Sequence, residues 1–446
     1  MAGAGRFAHI FAAMKSQAQI LAKLGIASLN DMQREARKAI LHGDEVVLLS
    51  PTGTGKTLAF LLPLLQELNP AVTTVQALVL VPSRELAIQI EQVMRSVGSG
   101  YRVEAVYGGR PGSRERETLK TPPAVLIGTP GRVADHLRRE AFSTKTIRTL
   151  VLDEFDKSLE TGFEKEMKQI VRDLPAVRKK VLTSATQAVA VPDFVGLTDP
   201  TTIDYLGTRS SRLRLVEVVA DDKDKLATLE RLLGETGTGR GIIFCNVKAS
   251  VRFVADFLDS RGVDYGIFMG GLEQTERERA LIKFRNRTHR LLLATDLAAR
   301  GIDVPELDFI VHYQLPSRAE EFTHRNGRTA RMHANGTAYV LRWSGAPRHD
   351  YLPDTEETEL PLRARPVQRS KWATLYVSAG RRDKVSKGDL AGMFFKQGGL
   401  QRDELGVIEL LADCAFVAVP RAKVDELVGL LNNGRVKKRK VRVYEV

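Results

Sequence analysis

The sequence predicts an α/β protein with two tandem parallel-sheet domains, followed by a smaller α+β domain. Three observations carry this prediction. The chain has 446 residues, which suits three domains at roughly 100 to 200 residues each. Short apolar runs alternate with helix-length amphipathic segments up to about residue 342, a pattern typical of strands covered on both faces by helices. From residue 371 onward, the predicted order changes to strand, helix, strand, strand, helix, strand.

The first domain is predicted over residues 1–208 and the second over residues 209–346. In the first, the strands are EVVLLS, ALVLVP, AVLIGT, TLVLDE and KVLTSA; in the second, they are LVEVVA, GIIFCN, YGIFM, RLLLAT, FIVHYQ and GTAYVLR. Residues 347–370 carry prolines and mixed charge without sustained periodicity. This composition indicates a linker.

Residues 371–446 have the predicted order strand, helix, strand, strand, helix, strand. The final strand is predicted over KKRKVRVYEV. This order is typical of a ferredoxin-like module, the plan shared by RNA recognition motifs. The fold class is therefore two parallel-sheet domains plus a ferredoxin-like, RRM-like domain.

The charge favours a polyanionic partner, with nucleic acid first. Lys and Arg number 67 against 54 Asp and Glu, a net charge of +13, and basic residues are in excess in the last segment. No run approaches the ~20 apolar residues that cross a bilayer, and the first residues lack the features of a secretory signal. We therefore expect a cytoplasmic protein. Cys245 and Cys414 are too far apart in sequence to indicate a metal or disulfide framework.

The segment SPTGTGKT, from Ser50 to Thr57, follows a predicted strand and opens a predicted helix. In that setting glycines let backbone N–H groups face phosphates, Lys56 reaches the β- and γ-phosphates, and the Thr57 hydroxyl ligates Mg²⁺. Ser50 stands where the generic P-loop pattern has a glycine. The predicted nucleotide-binding residues of this loop are Thr52, Gly53, Thr54, Gly55, Lys56 and Thr57.

The segment VLDEFDKSLE places carboxylates at the end of another predicted strand. Joined to the P-loop at the carboxyl edge of one sheet, Asp153 would hold Mg²⁺ through water and Glu154 would orient or deprotonate the attacking water. Asp156 would link to neighbouring motifs. Taken alone, a charged strand end is more often simply solvated.

In these motifs the sequence resembles the DEAD-box RNA helicases. The P-loop and DEFD are accompanied by PSRELA, a Gly-Gly pair, TPGR and SAT in the first domain, and by IIFCN, ATDLAARGID and HRNGRTAR in the second. The resemblance implies two RecA-like domains that use ATP and Mg²⁺ and bind RNA. It also implies that Arg328 and Arg331 act as arginine fingers once the domains close, and that RNA held across the closed domains is bent.

The resemblance assigns further roles residue by residue. Motif coupling falls to Asp156, Ser184, Thr186 and His324, and nucleotide binding extends to Gln33 and Asp303. The implied RNA contacts are Pro82, Arg84, Gly108, Gly109, Thr129, Pro130 and Arg132 in the first domain, and Asn246, Gln274, Arg277 and Thr295 in the second.

Some residues depart from the family pattern. Gln33 is expected to read the adenine edge, yet Ile26 replaces the usual aromatic and LNDM replaces the run before the glutamine. We therefore expect weaker ATP binding or selectivity unless Phe7 or Phe11 compensates. Phe155 replaces the family's alanine and is expected to pack against a neighbouring strand or helix.

The last segment resembles the RNA-binding domain of DbpA-type helicases, through LYVSAGRRDKVSKGDLAGMF, GVIELLADCAFVAVP and the basic final strand. Tyr376 and Phe416 are candidates for base stacking or for core packing. Because the usual Lys/Arg-Gly-Phe signature is absent, basic residues at the edges are also candidate RNA contacts. These are Arg381, Arg382 and Lys384.

The expected function is ATP-dependent unwinding of short RNA duplexes, with structured ribosomal RNA during ribosome assembly as the favoured substrate. Two alternatives stay open at this point. One is an RNA clamp or annealing chaperone with a weak ATPase, and the other is a DNA translocase.

Overall fold

The structure is a computed structural model that describes residues 16–109, 112–160, 162–186, 191–207, 213–296, 307–329, 336–353 and 355–446. The chain divides into two compact units, with the boundary near residue 209. The first unit contains one sheet, and the second contains another sheet and the C-terminal domain. No helix in the described ranges has the length and apolar character needed to span a membrane.

The first unit is a seven-stranded parallel sheet in the order β3-β4-β2-β5-β6-β1-β7. Its strands are β1 (Glu45–Leu49), β2 (Ala77–Leu80), β3 (Val103–Val106), β4 (Val125–Gly128), β5 (Thr149–Leu152), β6 (Lys179–Ser184) and β7 (Thr201–Asp204). Its helices are α1 (Gln17–Leu24), α2 (Asp31–His42), α3 (Lys56–Glu67), α4 (Arg84–Val97), α5 (Gly112–Leu119), α6 (Pro130–Arg138), α7 (Phe155–Glu160) and α8 (Glu164–Arg172).

Alternate residues of β1 lie in different apolar clusters. Val46 and Leu48 pack in one cluster, and Val47 and Leu49 pack in the other. Both faces of the sheet are therefore covered, which is why its strands are continuously apolar. The predicted parallel sheet is confirmed.

The second unit begins with another seven-stranded parallel sheet, in the order β10-β11-β9-β12-β13-β8-β14. Its strands are β8 (Leu213–Ala220), β9 (Gly241–Cys245), β10 (Tyr265–Phe268), β11 (Leu291–Thr295), β12 (Phe309–His312), β13 (Gly336–Trp343) and β14 (Glu356–Glu357). The helices of this domain include α9 (Leu226–Glu235), α10 (Lys248–Ser260), α11 (Gln274–Arg285) and α12 (Ala319–Asn326).

The segment predicted as a linker is partly attached to this second sheet. Strand β14 pairs with β8, and Leu360 and Val367 pack against the apolar core. The segment therefore lies along the domain that precedes it. The domain boundaries themselves stay a prediction.

The C-terminal domain has an antiparallel sheet in the order β16-β17-β15-β20. Its elements are β15 (Trp372–Val377), α13 (Lys387–Lys396), β16 (Ile408–Leu410), β17 (Ala415–Pro420), α14 (Val424–Leu431), β18 (Arg435–Val436), β19 (Arg439–Lys440) and β20 (Val443–Glu445). The predicted ferredoxin-like order is confirmed, but the prediction of one final strand over KKRKVRVYEV is wrong. Lys437 adopts a left-handed conformation with φ 55°, so the chain turns there and forms the β18–β19 hairpin before β20.

Candidate functional site

The P-loop connects the end of β1 to the start of α3. Gly53 and Gly55 have φ values of 83° and 88°, which residues with a side chain rarely adopt. Ser50 Oγ lies 2.8 Å from Thr54 Oγ1, which in turn donates to Pro51 O at 2.9 Å. The serine at the usual glycine position therefore stabilises the loop. The α3 N-terminus is a suitable place for phosphate.

Asn30 and Gln33 hold this loop from the side. Asn30 caps α2 and its Nδ2 donates to Thr54 O at 3.0 Å, while Gln33 Nε2 donates to Gly55 O at 3.2 Å. Gln33 Oε1 accepts from the Asn30 backbone at 3.1 Å. The altered run LNDM thus still supplies a helix cap, a role that the sequence analysis missed. Adenine recognition by Gln33 stays a prediction.

The carboxylates Asp153 and Glu154 follow β5, and Thr183 on the neighbouring strand β6 contacts both residues. The Thr183 hydroxyl donates to Asp153 Oδ1 and accepts from the Glu154 backbone N–H at 3.2 Å. Glu154 has φ 49°. The pKa of Asp153 is raised to about 6, mainly by burial and then by the nearby Glu154 charge, against the Thr183 hydrogen bond. Sequence reasoning did not identify Thr183.

The SAT segment, Ser184 to Thr186, forms hydrogen bonds with both the P-loop and DEFD. Thr186 Oγ1 donates to Asp156 Oδ2 at 3.0 Å, and Ser184 Oγ donates to Thr186 O at 2.7 Å. The backbone N–H of Ser50 donates to Ser184 O at 3.0 Å. These contacts bring the predicted coupling residues of the first unit together with the P-loop and DEFD, although their coupling role stays a prediction.

Phe155 lies in the apolar core of the first unit. It is 2% exposed and belongs to the cluster that contains Leu152, Met167 and Leu182. The bulky side chain therefore packs beside β5 and β6, as expected from the sequence.

The predicted RNA contacts of the first unit follow three adjacent strands, β2, β4 and β3. Arg84 begins α4 and approaches the Gly-Gly pair so closely that a Cβ on Gly109 would lie 2.4 Å from Arg84 Nη1. Gly109 also has φ 91°. Thr129 caps α6, Pro130 begins that helix, and Pro82 is buried. The structure thus places these predicted residues at one edge of the sheet.

Glu115 holds Arg132 beneath this edge. Its Oε2 lies 2.7 Å from Arg132 Nε and 2.8 Å from His136 Nε2, and its Oε1 accepts from the Tyr107 N–H at 3.3 Å. Glu115 is 7% exposed. Arg132 is therefore oriented by an ion pair with Glu115. The sequence analysis missed Glu115 because the residues that Glu115 contacts lie on other elements.

In the second unit, Arg325 joins the ends of several strands. It binds both carboxylate oxygens of Asp296 after β11, and it donates to Asn246 Oδ1 at 2.8 Å and to Gln314 O at 2.6 Å. Arg325 is 2% exposed. It is a further residue missed by sequence reasoning, although its place in HRNGRTAR offered a signal. Predicted Asn246 and Thr295 lie at these same strand ends.

The remaining predicted residues of the second unit lie on two helices. Gln274 begins α11 and donates to Glu278 at 3.3 Å, and the Arg277 guanidinium lies 4.9 Å from the Phe268 ring centre. His324 is on α12, and Arg328 follows that helix. The other predictions, Phe7, Phe11, Asp303 and Arg331, lie outside the described residues.

The C-terminal sheet carries an aromatic cluster. The Tyr376 ring centre lies 4.8 Å from that of Tyr444 and 5.6 Å from that of Phe416. Tyr444 is 43% exposed, whereas Phe416 is 3% exposed. Burial therefore favours a packing role for Phe416.

Basic residues gather at one end of this domain. Lys437 Nζ donates to Lys384 O at 2.7 Å, which brings the β18–β19 hairpin to the turn that contains Arg381, Arg382 and Lys384. Arg382 pairs with Asp413 at 2.9 Å. Two segments that are distant in sequence thus form one basic surface.

Part of the open sheet face is covered by the segment between α11 and β11. The Thr374 hydroxyl lies 2.6 Å from Thr288 Oγ1 and accepts from Asn286 Nδ2 at 3.3 Å. Arg285 Nε lies 2.6 Å from Glu409 Oε1. Because Thr374, Asn286 and Thr288 are all at most 4% exposed, this is a buried docking contact between the second sheet domain and the C-terminal domain.

Comparison with known proteins gives the family. Residues 30–194 match the DEAD/DEAH box helicase family, residues 224–333 the helicase conserved C-terminal domain, and residues 374–445 the DbpA RNA binding domain. The chain is 33% identical over 438 residues to ATP-dependent RNA helicase DbpA of Escherichia coli, covering 95% of each protein. It is 29% identical over 459 residues to the protein of the same name from Bacillus subtilis, covering 94% of this chain and 95% of that protein.

A solved structure agrees with these sequence matches. S. cerevisiae Dbp5 bound to RNA and ADP BeF3 superimposes with a TM-score of 0.66 at 29% identity, covering 72% of this chain and 85% of that one. The two parallel-sheet domains are therefore RecA-like. The chain belongs to the DEAD-box ATP-dependent RNA helicases, enzymes whose ATPase depends on RNA, and it ends in a DbpA-type RNA-binding domain.

Proposed function

We propose that the enzyme couples ATP binding and hydrolysis to local unwinding of short RNA duplexes, on structured ribosomal RNA during ribosome assembly in the cytoplasm. The ATP hydrolysis in this proposal rests on one observation, the hydrogen-bond network of the first unit that connects the P-loop to DEFD through Ser184 and Thr186. The DbpA RNA binding domain match supports capture of RNA by the C-terminal domain. The ribosomal target is our extension.

The P-loop neutralises the triphosphate in this proposal. Lys56 Nζ donates to Ser50 O and Pro51 O at 2.5 and 3.0 Å, so the ammonium group lies within the loop that would surround the phosphates. The N–H groups at the start of α3 add further donors. The loop therefore supplies positive charge at the place where negative charge must be stabilised.

The donor set at this edge fits Mg²⁺. Mg²⁺ prefers oxygen ligands and is commonly held by one or two carboxylates together with substrate phosphates, and Asp153 and Thr57 supply a buried carboxylate and a hydroxyl. When bound, the ion would neutralise charge on the phosphate oxygens. Glu154 would orient the attacking water or accept a proton from it.

Arg328 and Arg331 would complete the site in the complex with ATP and RNA. Arginine fingers are worth about 10³ to 10⁵ in rate because they stabilise the charge on the transferred phosphoryl group. Assembly of the site only with RNA present would make hydrolysis RNA-dependent. A strand bent by the closed domains cannot stay in a straight duplex, so a short helix would open locally.

The test is RNA-stimulated ATP hydrolysis and unwinding of a short RNA duplex by the full chain. Lys56→Ala and Glu154→Gln should abolish both activities, whereas the exposed controls Lys165→Ala and Glu164→Gln should retain them. Full turnover in the first pair would refute the mechanism. ATP-dependent RNA binding without appreciable wild-type turnover would instead indicate a clamp, and equal stimulation by single-stranded DNA would indicate a translocase.

A further inference from the structure

Thr183 is a buried residue that contacts both Asp153 and Glu154 of the proposed ATPase site. Strands β5 and β6 run parallel with Leu152 opposite Leu182, so the next residue on each strand, Asp153 and Thr183, are neighbours. The Thr183 side chain is fully buried. Its hydroxyl donates to Asp153 Oδ1 and accepts from the Glu154 N–H at 3.2 Å. One hydroxyl group therefore contacts the carboxylate expected to face Mg²⁺ and the backbone of the expected base.

Both contacts oppose an unfavourable feature of the site. Asp153 is buried, and the hydrogen bond donated by Thr183 satisfies one of its carboxylate oxygens. Glu154 has a left-handed backbone at φ 49°, which is uncommon for a residue with a side chain and persists only where its surroundings hold it. The Thr183 oxygen accepts the N–H of that same residue and so satisfies a backbone donor at the strained position.

We propose that Thr183 is a positioning residue for ATP hydrolysis. Its hydroxyl holds in place the Asp153 carboxylate, which is the expected Mg²⁺ ligand, and the backbone of Glu154, whose side chain is expected to orient the attacking water. This inference rests on the proposed function, since it assigns Asp153 and Glu154 the roles given there. It predicts that Mg²⁺-dependent nucleotide binding and turnover both depend on the hydroxyl and not on the methyl group of the side chain.

The experiment compares hydroxyl-deleting and hydroxyl-retaining variants in the full chain. Thr183→Val keeps the shape and removes the hydroxyl, and Thr183→Ser keeps the hydroxyl. Thr149→Val is the matched control, because Thr149 is a buried threonine (6% exposed) at the opposite end of β5. Binding of fluorescent ADP is measured against Mg²⁺ concentration, and the melting temperature is measured with and without Mg²⁺ and ADP.

Thr183→Val should need roughly tenfold or more Mg²⁺ for half-maximal ADP binding, and its RNA-stimulated kcat should fall roughly ten- to a hundredfold, the effect of losing a hydrogen bond to a charged group. Mg²⁺ with ADP should also raise its melting temperature less than in the wild type. Thr183→Ser and Thr149→Val should stay within about twofold of the wild type in binding and kcat. A Thr183→Val protein with wild-type Mg²⁺ dependence and kcat would overturn the inference.

Two further comparisons make the result decisive. If Thr183→Val fails to fold, Thr183→Ala replaces it, and equal Mg²⁺ dependence of the Ala and Ser variants overturns the inference. If Lys56→Ala and Glu154→Gln are inactive while Thr183→Val behaves like the wild type, only the role of Thr183 fails. If Lys56→Ala and Glu154→Gln stay active, the proposed function fails.

Discussion

Gly55 shows how strongly a single position in the P-loop is constrained. Its φ of 88° favours glycine, and a Cβ there would also lie 2.3 Å from Gln33 Nε2. The glycine is therefore needed both for its conformation and for the contact between α2 and the P-loop. Gly100 meets only the first of these two requirements, because it has φ 85° but no neighbour within 4 Å of an added Cβ.

Gly55→Ala and Gly100→Ala should therefore differ. Each should lose roughly 1 kcal/mol of unfolding free energy from the left-handed backbone, but only Gly55→Ala should weaken ATP binding, by displacing Gln33. Thermal unfolding and nucleotide titration of both variants check this. Equal ATP affinity in the two variants would contradict the proposed constraint at Gly55.

His312 is a buried neutral histidine in the second unit. Its ring lies 4.6 Å from the Phe322 ring centre, and its Nε2 lies 2.9 Å from Asn326 Oδ1. The pKa of His312 is lowered to about 3, mainly by burial and then by the nearby Arg325 charge. The unfolded chain therefore binds a proton below its pKa of about 6.5, while the folded chain does so only near pH 3.

It follows that stability is lost as the pH falls from about 6.5 toward 3. His312→Gln removes this titration, so the variant should lose about 1 kcal/mol less unfolding free energy than the wild type between pH 7.5 and 5.5. Chemical denaturation at both pH values measures the difference. The exposed control His42→Gln should follow the wild type, and an unchanged pH dependence in His312→Gln would refute this assignment.

At the scale of elements, continuous apolar runs were sufficient to predict the central strands. The edge strands β3, β7 and β14 were missed: Glu104 interrupts the apolar residues of β3, β7 is mostly exposed, and β14 consists of two exposed glutamates. The final strand was mispredicted because the turn at Lys437 has no glycine or proline to mark it. Local sequence patterns thus identify the core of each sheet better than its margins.

The residues of the candidate site also differ in whether local sequence patterns predict them. The P-loop and DEFD residues follow local patterns, so they could be predicted. Thr183, Glu115 and Arg325 act through partners on other strands and helices. Their roles depend on tertiary contacts, which one sequence without an alignment does not reveal.

The ion pair between Arg285 and Glu409 tests the docking of the C-terminal domain. Its side chains are 24% and 22% exposed, so Arg285→Glu and Glu409→Arg should each cost about 1 to 2 kcal/mol in unfolding free energy, and the double swap should restore much of that loss. A double-mutant cycle by chemical denaturation measures the coupling. Charge swaps in the Arg382–Asp413 pair, 54% and 67% exposed, should change stability by less than about 0.5 kcal/mol. Equal effects in both pairs would argue against docking.

At the scale of the whole molecule, the proposed RNA capture by the C-terminal domain can be separated from the docking of this domain on the second RecA-like domain. Deleting residues 371–446 should leave RNA-stimulated ATP hydrolysis but weaken capture of a preferred RNA. It should also uncover Asn286 and Thr288, which are 1% and 4% exposed, and so destabilise the second RecA-like domain. Arg381→Glu with Lys384→Glu should weaken RNA capture alone.

RNA affinity at several salt concentrations and thermal unfolding distinguish these variants. For the full chain, log affinity should fall by roughly 0.7 per phosphate contact for each log unit of salt, and the double charge reversal should flatten that slope. A truncated chain that matches the full chain on every RNA tested would remove the proposed capture role.

The most direct test of RNA-coupled ATP hydrolysis is the RNA-stimulated ATPase rate of Arg328→Ala. This variant should still bind ATP and RNA but lose stimulated hydrolysis by roughly 10³-fold or more, whereas Arg318→Ala, an exposed arginine at the start of the same helix, should keep it. Stimulated hydrolysis at the wild-type rate in Arg328→Ala would contradict the account.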